Sequence, residues 1–343
     1  MSHEIDLEKY ELRTDLALEA LEQMSEKGYE VEEYTESGNR ITTVKVNEIG
    51  SKEIGKKPGT YITIEFDDIT DHENQEKLIQ SFAKQLKKMI DQLKIKKDAT
   101  CFVVGLGNQK STPDALGPLT VDHVMVTNHL FYYGKVEDGY RPVCAFSPGV
   151  MGETGIETSE FVKSAVLTLK PDFLIIVDAL ASQSIDRVNH TIQMADTGIH
   201  PGSGVGNKRK EISLETLSVP VISIGVPTVV DAVTIVSDTI QYMYRHFAYT
   251  KENMNNPIHK LIPAGMIDYK HKKIKTNEED KKRWLGMLGT LQENEVKQLI
   301  FEVLTPIGYN LMVTPKEVDF TIDHLSEILG RGINLALHEK VKR

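Results

Sequence analysis

Apolar and polar residues alternate in two segments near the start of the chain. These are RITTVKVN (residues 40–47) and TYITIEFDD (60–68), which flank the turn-like sequence GKKPG. A period of two predicts a pair of antiparallel strands. Apolar residues then recur at helical spacing over residues 78–93, which predicts an amphipathic helix that leads into the rest of the fold.

Three later segments are almost wholly apolar and show no alternation. They are TCFVVGLG (100–107), DFLIIVDAL (172–180) and VPVISIGVP (219–227). Strands that are apolar on both faces are typical of a parallel sheet covered by helices on both sides. The pattern therefore predicts an α/β fold, a three-layer α/β/α domain with a largely parallel, mixed sheet and an N-terminal β-hairpin extension. A last helix is predicted after TPKE, with Thr314 as its N-cap and Glu317 as the capping-box partner.

The pattern of apolar residues predicts a short N-terminal segment followed by one large domain. Residues 1–15 carry no helical apolar period, whereas such a period begins at Leu16, so the first fifteen residues are expected to be peripheral. Residues 16–343 are predicted to form a single α/β domain. Within it, residues 269–283 (YKHKKIKTNEEDKKR) combine dense charge with no apolar period, and we expect a mobile surface loop there.

Composition narrows the classes of function. No apolar run approaches the ~20 residues that a membrane-spanning helix needs, and the charged N-terminus has no secretory h-region, so a cytoplasmic location is expected. The formal net charge of −10 over 343 residues disfavours direct binding to nucleic acid. The two cysteines, Cys101 and Cys144, lie in apolar runs and are expected to be core residues.

Two aspartates stand where predicted strands end. Asp114 follows the first apolar run and Asp178 ends the second, and polar groups at the carboxyl ends of parallel strands meet at one edge of the sheet. A purely structural alternative exists for both, because Asp114 has Thr112 and Pro113 before it and fits the first turn of a helix, and Asp178 fits an N-cap. Asp231 fits a capping box with Thr228, for which the structural interpretation suffices.

Two carboxylates held close together share a proton, which provides a general acid and a general base in one site. Such a pair can hydrolyse an amide, with one member activating water and the other protonating the leaving nitrogen. The sequence has no P-loop, no complete dinucleotide fingerprint, no His-Glu-x-x-His and no Gly-x-Ser-x-Gly. A metal-dependent hydrolase that uses the two aspartates and one histidine remains an open alternative.

The segment DTGIHPGSGVGNKRK (196–210) combines four glycines with a basic end. Its backbone amides could approach a ligand closely, and Lys208 and Arg209 add positive charge to an acidic protein. A solvated turn with a basic tail is an equally weighted interpretation. His200 is a third candidate for the site, although an ordinary loop histidine explains it as well.

Several of these motifs, in this order, closely resemble the germination protease family of endospore-forming bacteria. They are GLGN, TPDALGP, VDALA, DTGIHPGSGVGNKRK, IGVPTVVDA and NLMVTPKEVD, and the resemblance runs from about residue 10 to about residue 341. It implies an atypical aspartate-type endopeptidase that degrades small acid-soluble spore proteins during germination. It also implies a homotetramer in the spore core, a fold similar to that of hydrogenase-maturation proteases, and catalytic roles for Asp114 and Asp178. No cofactor or metal is expected.

The resemblance further implies an inactive zymogen that removes its own N-terminus. The run TDLALE (14–19) is similar to the family's substrate pattern of an acidic residue followed by an apolar residue and alanine, so self-cleavage is predicted between Asp15 and Leu16. The acidic residue before the cut needs a cationic pocket, for which Lys208 and Arg209 are candidates. The relatives that mature hydrogenases keep His200 in consideration as a third site group. A non-catalytic binding module for spore proteins is the alternative from another class.

Overall fold

The computed structural model describes residues 16, 19, 28–134, 136–202, 209–255, 274, 276–304 and 311–341. By compactness the chain separates into two units, each of which is described by itself. The larger unit consists of residues 13–229 and 314–343, and the smaller of residues 1–12 and 230–313. The expected division into residues 1–15 and one domain from 16 to 343 stays a prediction.

Nine strands of the described chain form one mixed sheet. Its order is β1-β2-β3-β7-β8-β6-β4-β5, and β9 pairs with the end of β8. The strands are β1 (Tyr29–Glu36), β2 (Asn39–Val46), β3 (Gly59–Glu65), β4 (Cys101–Gly105), β5 (Val143–Phe146), β6 (Phe173–Ser182), β7 (Thr191–Ala195), β8 (Val221–Asp231) and β9 (Met312–Val313).

Parallel and antiparallel pairing occupy different parts of the sheet. Strand β4 runs parallel to β5 and to β6, whereas β1, β2, β3, β7 and β8 pair antiparallel in that order. The predicted antiparallel pair corresponds to β2 and β3. The three apolar runs correspond to β4, β6 and β8, which are neighbours in the sheet in the order β8-β6-β4.

The described chain contains α-helices in both units. They are α1 (Glu48–Ile54), α2 (His72–Gln92), α3 (Leu116–Asp122), α4 (Asn128–Tyr132), α5 (Met151–Thr154), α6 (Thr158–Leu169), α7 (Leu214–Leu217), α8 (Ala232–Glu252), α9 (Glu278–Leu285), α10 (Glu293–Leu304) and α11 (Val318–Leu337). No helix among the described residues is long and apolar enough to cross a membrane.

Each central strand contributes side chains to two separate cores. Val103, Ile175 and Val177 pack with α2 and α11 on one face of the sheet. Val104 and Ile176, one position along, pack with α6 on the opposite face. This alternation follows from the period of two in a strand, and it confirms the predicted α/β class with helices on both sides of the sheet.

The smaller unit is largely helical where it is described. Asp231 caps α8, with its carboxylate accepting a 2.6 Å hydrogen bond from the Val233 N–H. Trp284 of α9 lies against Phe247 of α8, with ring centroids 5.6 Å apart. Strand β9 adds to the end of β8, where Val230 pairs with Val313.

The structure differs from the predicted loop over residues 278–283, which form the greater part of α9. Residues 269–273 and 275 lie outside the described chain. Asn277 caps this helix by accepting a hydrogen bond from the Asp280 N–H, at 2.6 Å. Three acidic residues occupy its first turn, and two basic residues occupy its last turn. This distribution of charge favours a helix because it opposes the helix dipole at both ends.

The predicted start of the last helix is also displaced. Helix α11 begins at Val318, and Thr314 does not cap it. The Thr314 hydroxyl instead donates a 2.9 Å hydrogen bond to the Thr228 carbonyl of β8. The Thr314 side chain is thus held against β8 and not over the helix N-terminus, and the helix begins three residues after the predicted first residue, Pro315.

Candidate active site

The candidate site lies where β4 ends beside β6. The parallel register of the two strands stops at the pair Gly105 and Val177. Strand β6 continues to Ser182, so Asp178 is its first residue beyond the end of β4. The predicted N-cap role of Asp178 is therefore wrong, because the residue lies inside a strand.

A short 3₁₀ turn, Thr112–Asp114, lies against β6 at this point. The Leu106 N–H continues the ladder beyond β4 with a 2.8 Å hydrogen bond to the Val177 carbonyl. Gly107 then adopts a φ of +115°, and a Cβ added to it would lie 2.0 Å from the Asp114 carbonyl oxygen. Glycine is required here because the chain passes directly over the turn that carries Asp114.

The Asp114 carboxylate is half-buried and tied to the loop after β4. Its Oδ2 accepts a 2.8 Å hydrogen bond from the Asn108 N–H. Burial raises the pKa of Asp114 above its ordinary value, while the Asn108 hydrogen bond and the positive charge of Arg209 act in the opposite direction. Burial disfavours the charged form of a carboxyl group, and here it outweighs the two opposing effects. Asp114 therefore holds a proton more readily than an isolated aspartate does.

Asp178 is 6 % exposed. Its Oδ1 accepts a 3.0 Å hydrogen bond from the Ala179 N–H. By strand alternation it points to the same face as Leu174 and Ile176, whose side chains belong to the core against α6. The loop after β7 contributes Ile212 to that core, three residues from Arg209. Asp178 thus lies on the face of the sheet that this loop covers.

Strand β8 fixes the turn from the other side. The Thr228 hydroxyl donates a 2.6 Å hydrogen bond to the Pro113 carbonyl, next to Asp114. The predicted capping box of Thr228 and Asp231 is therefore wrong for Thr228, whose side chain is committed to the turn. Asp231 caps α8 alone.

The other residues proposed from the sequence are distributed differently. His200 is exposed, and its Nε2 lies 3.7 Å from a carboxylate oxygen of Glu211, which also pairs with Lys57. Among the described residues, no three His, Cys, Asp or Glu side chains form a cluster that could hold a metal ion. His200 is therefore not brought together with Asp114 and Asp178 in this arrangement. Lys208 and Asp15 lie outside the described residues.

A buried contact beside the site was not predicted from the sequence. Leu16 is 1 % exposed and Glu19 is 3 % exposed. The Glu19 carboxylate contacts Ser182, Gln183 and Arg187, in the segment where β6 ends. These partners lie more than 160 residues from Glu19 along the chain, and no local pattern in the sequence signals the contact.

Comparison with known proteins identifies the chain as a peptidase. The family model described as germination protease matches residues 6–343. The chain therefore belongs to the germination protease family, in agreement with the resemblance of its motifs.

Curated relatives support this membership over the whole length. The chain is 50% identical to the germination protease of Geobacillus sp. (strain WCH70), over 99% of this chain and 97% of the relative. It is 51% identical to the germination protease of Bacillus subtilis (strain 168), with the same coverage. It is also 51% identical to that of Bacillus licheniformis, over 99% of this chain and 96% of the relative.

Among solved structures, the chain is similar to a [NiFe] hydrogenase maturation protease, HycI, from Thermococcus kodakarensis KOD1. The two share 19% identity at a TM-score of 0.28, over 42% of this chain and 80% of that one. A similarity at this TM-score is too low to bear on function.

Proposed function

We propose that Asp114 and Asp178 are the acid/base pair of a self-processing endopeptidase that degrades small acid-soluble spore proteins during germination. The observation that carries the proposal is the position of both residues, Asp114 and Asp178, at the point where β4 ends beside β6. Asp178 is the first β6 residue beyond the register of β4, and the turn that carries Asp114 packs against the same strand.

The raised pKa of Asp114 supports one division of the two roles. Asp114 would hold the proton, because burial disfavours its charged form. Asp178 would be the ionised partner that removes a proton from water as the water oxygen bonds to the scissile carbonyl carbon. As the carbon–nitrogen bond breaks, the Asp114 proton would pass to the leaving nitrogen. Neither step calls for a cofactor.

The biological setting follows the family. The enzyme would act in the cytoplasm of the spore core, as a homotetramer made in precursor form, and would cleave after an acidic residue. Its first substrate would be its own chain, between Asp15 and Leu16. Arg209, whose charge acts on Asp114, and Lys208 remain candidates for the pocket of the acidic substrate residue.

Intact mass of the purified full chain at mildly acidic pH tests the proposal. The wild type should lose residues 1–15 with time, and both Asp114→Asn and Asp178→Asn should keep them. Loss of the segment from both variants at the wild-type rate would refute the assignment. Self-cleavage that persists in a chelator separates this mechanism from a metal-dependent hydrolase built on Asp114, Asp178 and His200.

A further inference from the structure

Glu19 is held by a pocket at the end of β6, which we call the Glu19 pocket and define by Ser182, Gln183 and Arg187. Glu19 Oε1 accepts a 2.6 Å hydrogen bond from the Ser182 hydroxyl and lies 3.2 Å from Arg187 Nη1. Its Oε2 accepts a 2.8 Å hydrogen bond from the Gln183 N–H. Both carboxylate oxygens are thus engaged.

The chemistry of this pocket selects a carboxylate. A hydroxyl, a backbone N–H and a guanidinium contact the carboxylate. Hydrogen bonds in which one partner is charged are stronger than those between neutral groups. An amide in place of the carboxylate would turn one NH₂ group toward a donor, and it would leave Arg187 without this negative charge. Glu19 is 3 % exposed and the Arg187 side chain 14 %, so solvent screens the pair weakly.

The position of the pocket relates it to the proposed catalytic pair. Ser182 lies four residues after Asp178 on β6, a separation of about 13 Å along a strand. Glu19 lies four residues after Asp15, so an extended segment from Glu19 back to the predicted cleavage bond would span about the same 13 Å.

A helical segment would not reach as far. Four residues in a helix advance only about 6 Å. A reach from the pocket to the level of Asp178 therefore calls for an extended chain before Glu19, with the Glu19 side chain fixed in its pocket.

We propose that the Glu19 pocket is a specificity site for an acidic side chain four residues after the cleaved bond, occupied here by the chain's own first substrate segment. This inference rests on the proposed function, because it assumes that the bond between Asp15 and Leu16 is cut. It assigns Ser182, Gln183 and Arg187 a positioning role, separate from the acid/base pair.

The rate of self-cleavage, followed by intact mass, tests the inference. Glu19→Gln and Arg187→Gln should each slow loss of residues 1–15 at least tenfold, and the double variant should be no slower than the slower single variant. The matched control is Glu65→Gln, which removes the other carboxylate near Arg187, 3.9 Å from its Nε. This control should cleave within twofold of the wild-type rate.

Two results would overturn the inference. One is cleavage of Glu19→Gln and Arg187→Gln within twofold of wild type, and the other is equal slowing by the Glu65→Gln control. If Arg187→Gln fails to fold, Ser182→Ala replaces it, since it removes one contact and no charge. That variant should cleave at least threefold more slowly, and an unchanged rate would count against the pocket.

Failure of the proposed function would look different, because the wild-type chain itself would keep residues 1–15. Trypsin cleavage after Arg13 then decides whether the pocket anchors the segment, with a readout that is independent of self-cleavage. Faster cutting in Glu19→Gln than in wild type and in Glu65→Gln would support the anchor. Equal rates in all three proteins would overturn it.

Discussion

Replacement of Gly117 by alanine should displace the turn that carries Asp114. Gly117 lies in α3, where the helix passes directly over the end of β4 and over Val177 of β6. A Cβ added to Gly117 would lie 2.2 Å from the Leu106 carbonyl oxygen and 2.6 Å from the Val177 carbonyl oxygen. Both atoms are backbone, so no side-chain rotation relieves the clash.

The size of the effect follows from these distances. Ordinary contact begins at 3.4 Å, so the helix must move away by about 1.2 Å. That movement would stretch the 2.8 Å hydrogen bond between the Leu106 N–H and the Val177 carbonyl. Overpacking costs about 1–3 kcal/mol and a lost buried hydrogen bond about 1 kcal/mol, which gives about 3 kcal/mol in all. At roughly 2–4 °C per kcal/mol, the melting temperature should fall by roughly 6–12 °C.

Self-cleavage should suffer more than stability does. A misplacement of ~1 Å in a catalytic group costs on the order of 10²-fold in rate, and Asp114 lies three residues before Gly117. Thermal unfolding and intact mass over time measure the two effects separately. The assay of self-cleavage is made at a temperature at which the variant is still folded.

Gly152→Ala is the matched control for Gly117→Ala. Gly152 also lies in a helix, α5, but an added Cβ would meet no atom within 4 Å. The control should unfold within about 1 °C of wild type, as surface substitutions do, and should self-cleave at the wild-type rate. A Gly117→Ala protein that matches the control in both measurements would refute the view that this close packing positions Asp114.

Three further predictions use the charges at the site and the core. Asp114→Asn should unfold at a higher temperature than wild type at pH 7. The pKa of Asp114 is higher in the folded than in the unfolded protein, so the wild type loses stability as the pH rises through the interval between these two pKa values. Thermal scans below the unfolded value, about 3.9, should show no difference, and a wild type more stable at pH 7 would contradict the argument. Arg209→Ala removes a charge that lowers the pKa of Asp114, so the alkaline limit of self-cleavage should move to higher pH. Lys210→Ala, whose charge pairs with Glu160, is the control that should leave the limit unchanged. Burial raises the pKa of the Cys101 thiol, so a thiol reagent at pH 8 should modify it only after unfolding, as mass spectrometry of the peptides would detect.

The buried strands could be predicted from the sequence, because a strand that is buried on both faces is apolar at almost every position, whichever elements pack against it. Strands β4 and β6 read as short continuous apolar runs, and both faces of each are packed. Strand β1 was missed for the opposite reason. Its sequence, YEVEEYTE, has no fully buried position, and as an edge strand it keeps charged side chains in solvent.

Some features of the candidate site could likewise be predicted from the sequence and others could not. Asp114 and Asp178 could be selected because each follows or ends an apolar run, and strand ends gather polar groups. The Glu19 pocket could not be selected, because the contact of Glu19 with Arg187 depends on how the chain returns to the end of β6. The raised pKa of Asp114 also depends on burial, which no local pattern reports.

At the basic end of the glycine-rich loop, neighbouring charged residues have different partners, which the sequence alone does not show. In the sequence, Lys208, Arg209 and Lys210 read as one patch of positive charge. In the structure the two described members have different partners, since the charge of Arg209 acts on Asp114 while Lys210 pairs with Glu160. Adjacent charges in a loop thus need not serve the same site. Arg209 acts on Asp114 of the proposed acid/base pair, whereas Lys210 ties the loop to α6. Separate substitutions of the two should therefore have separate effects.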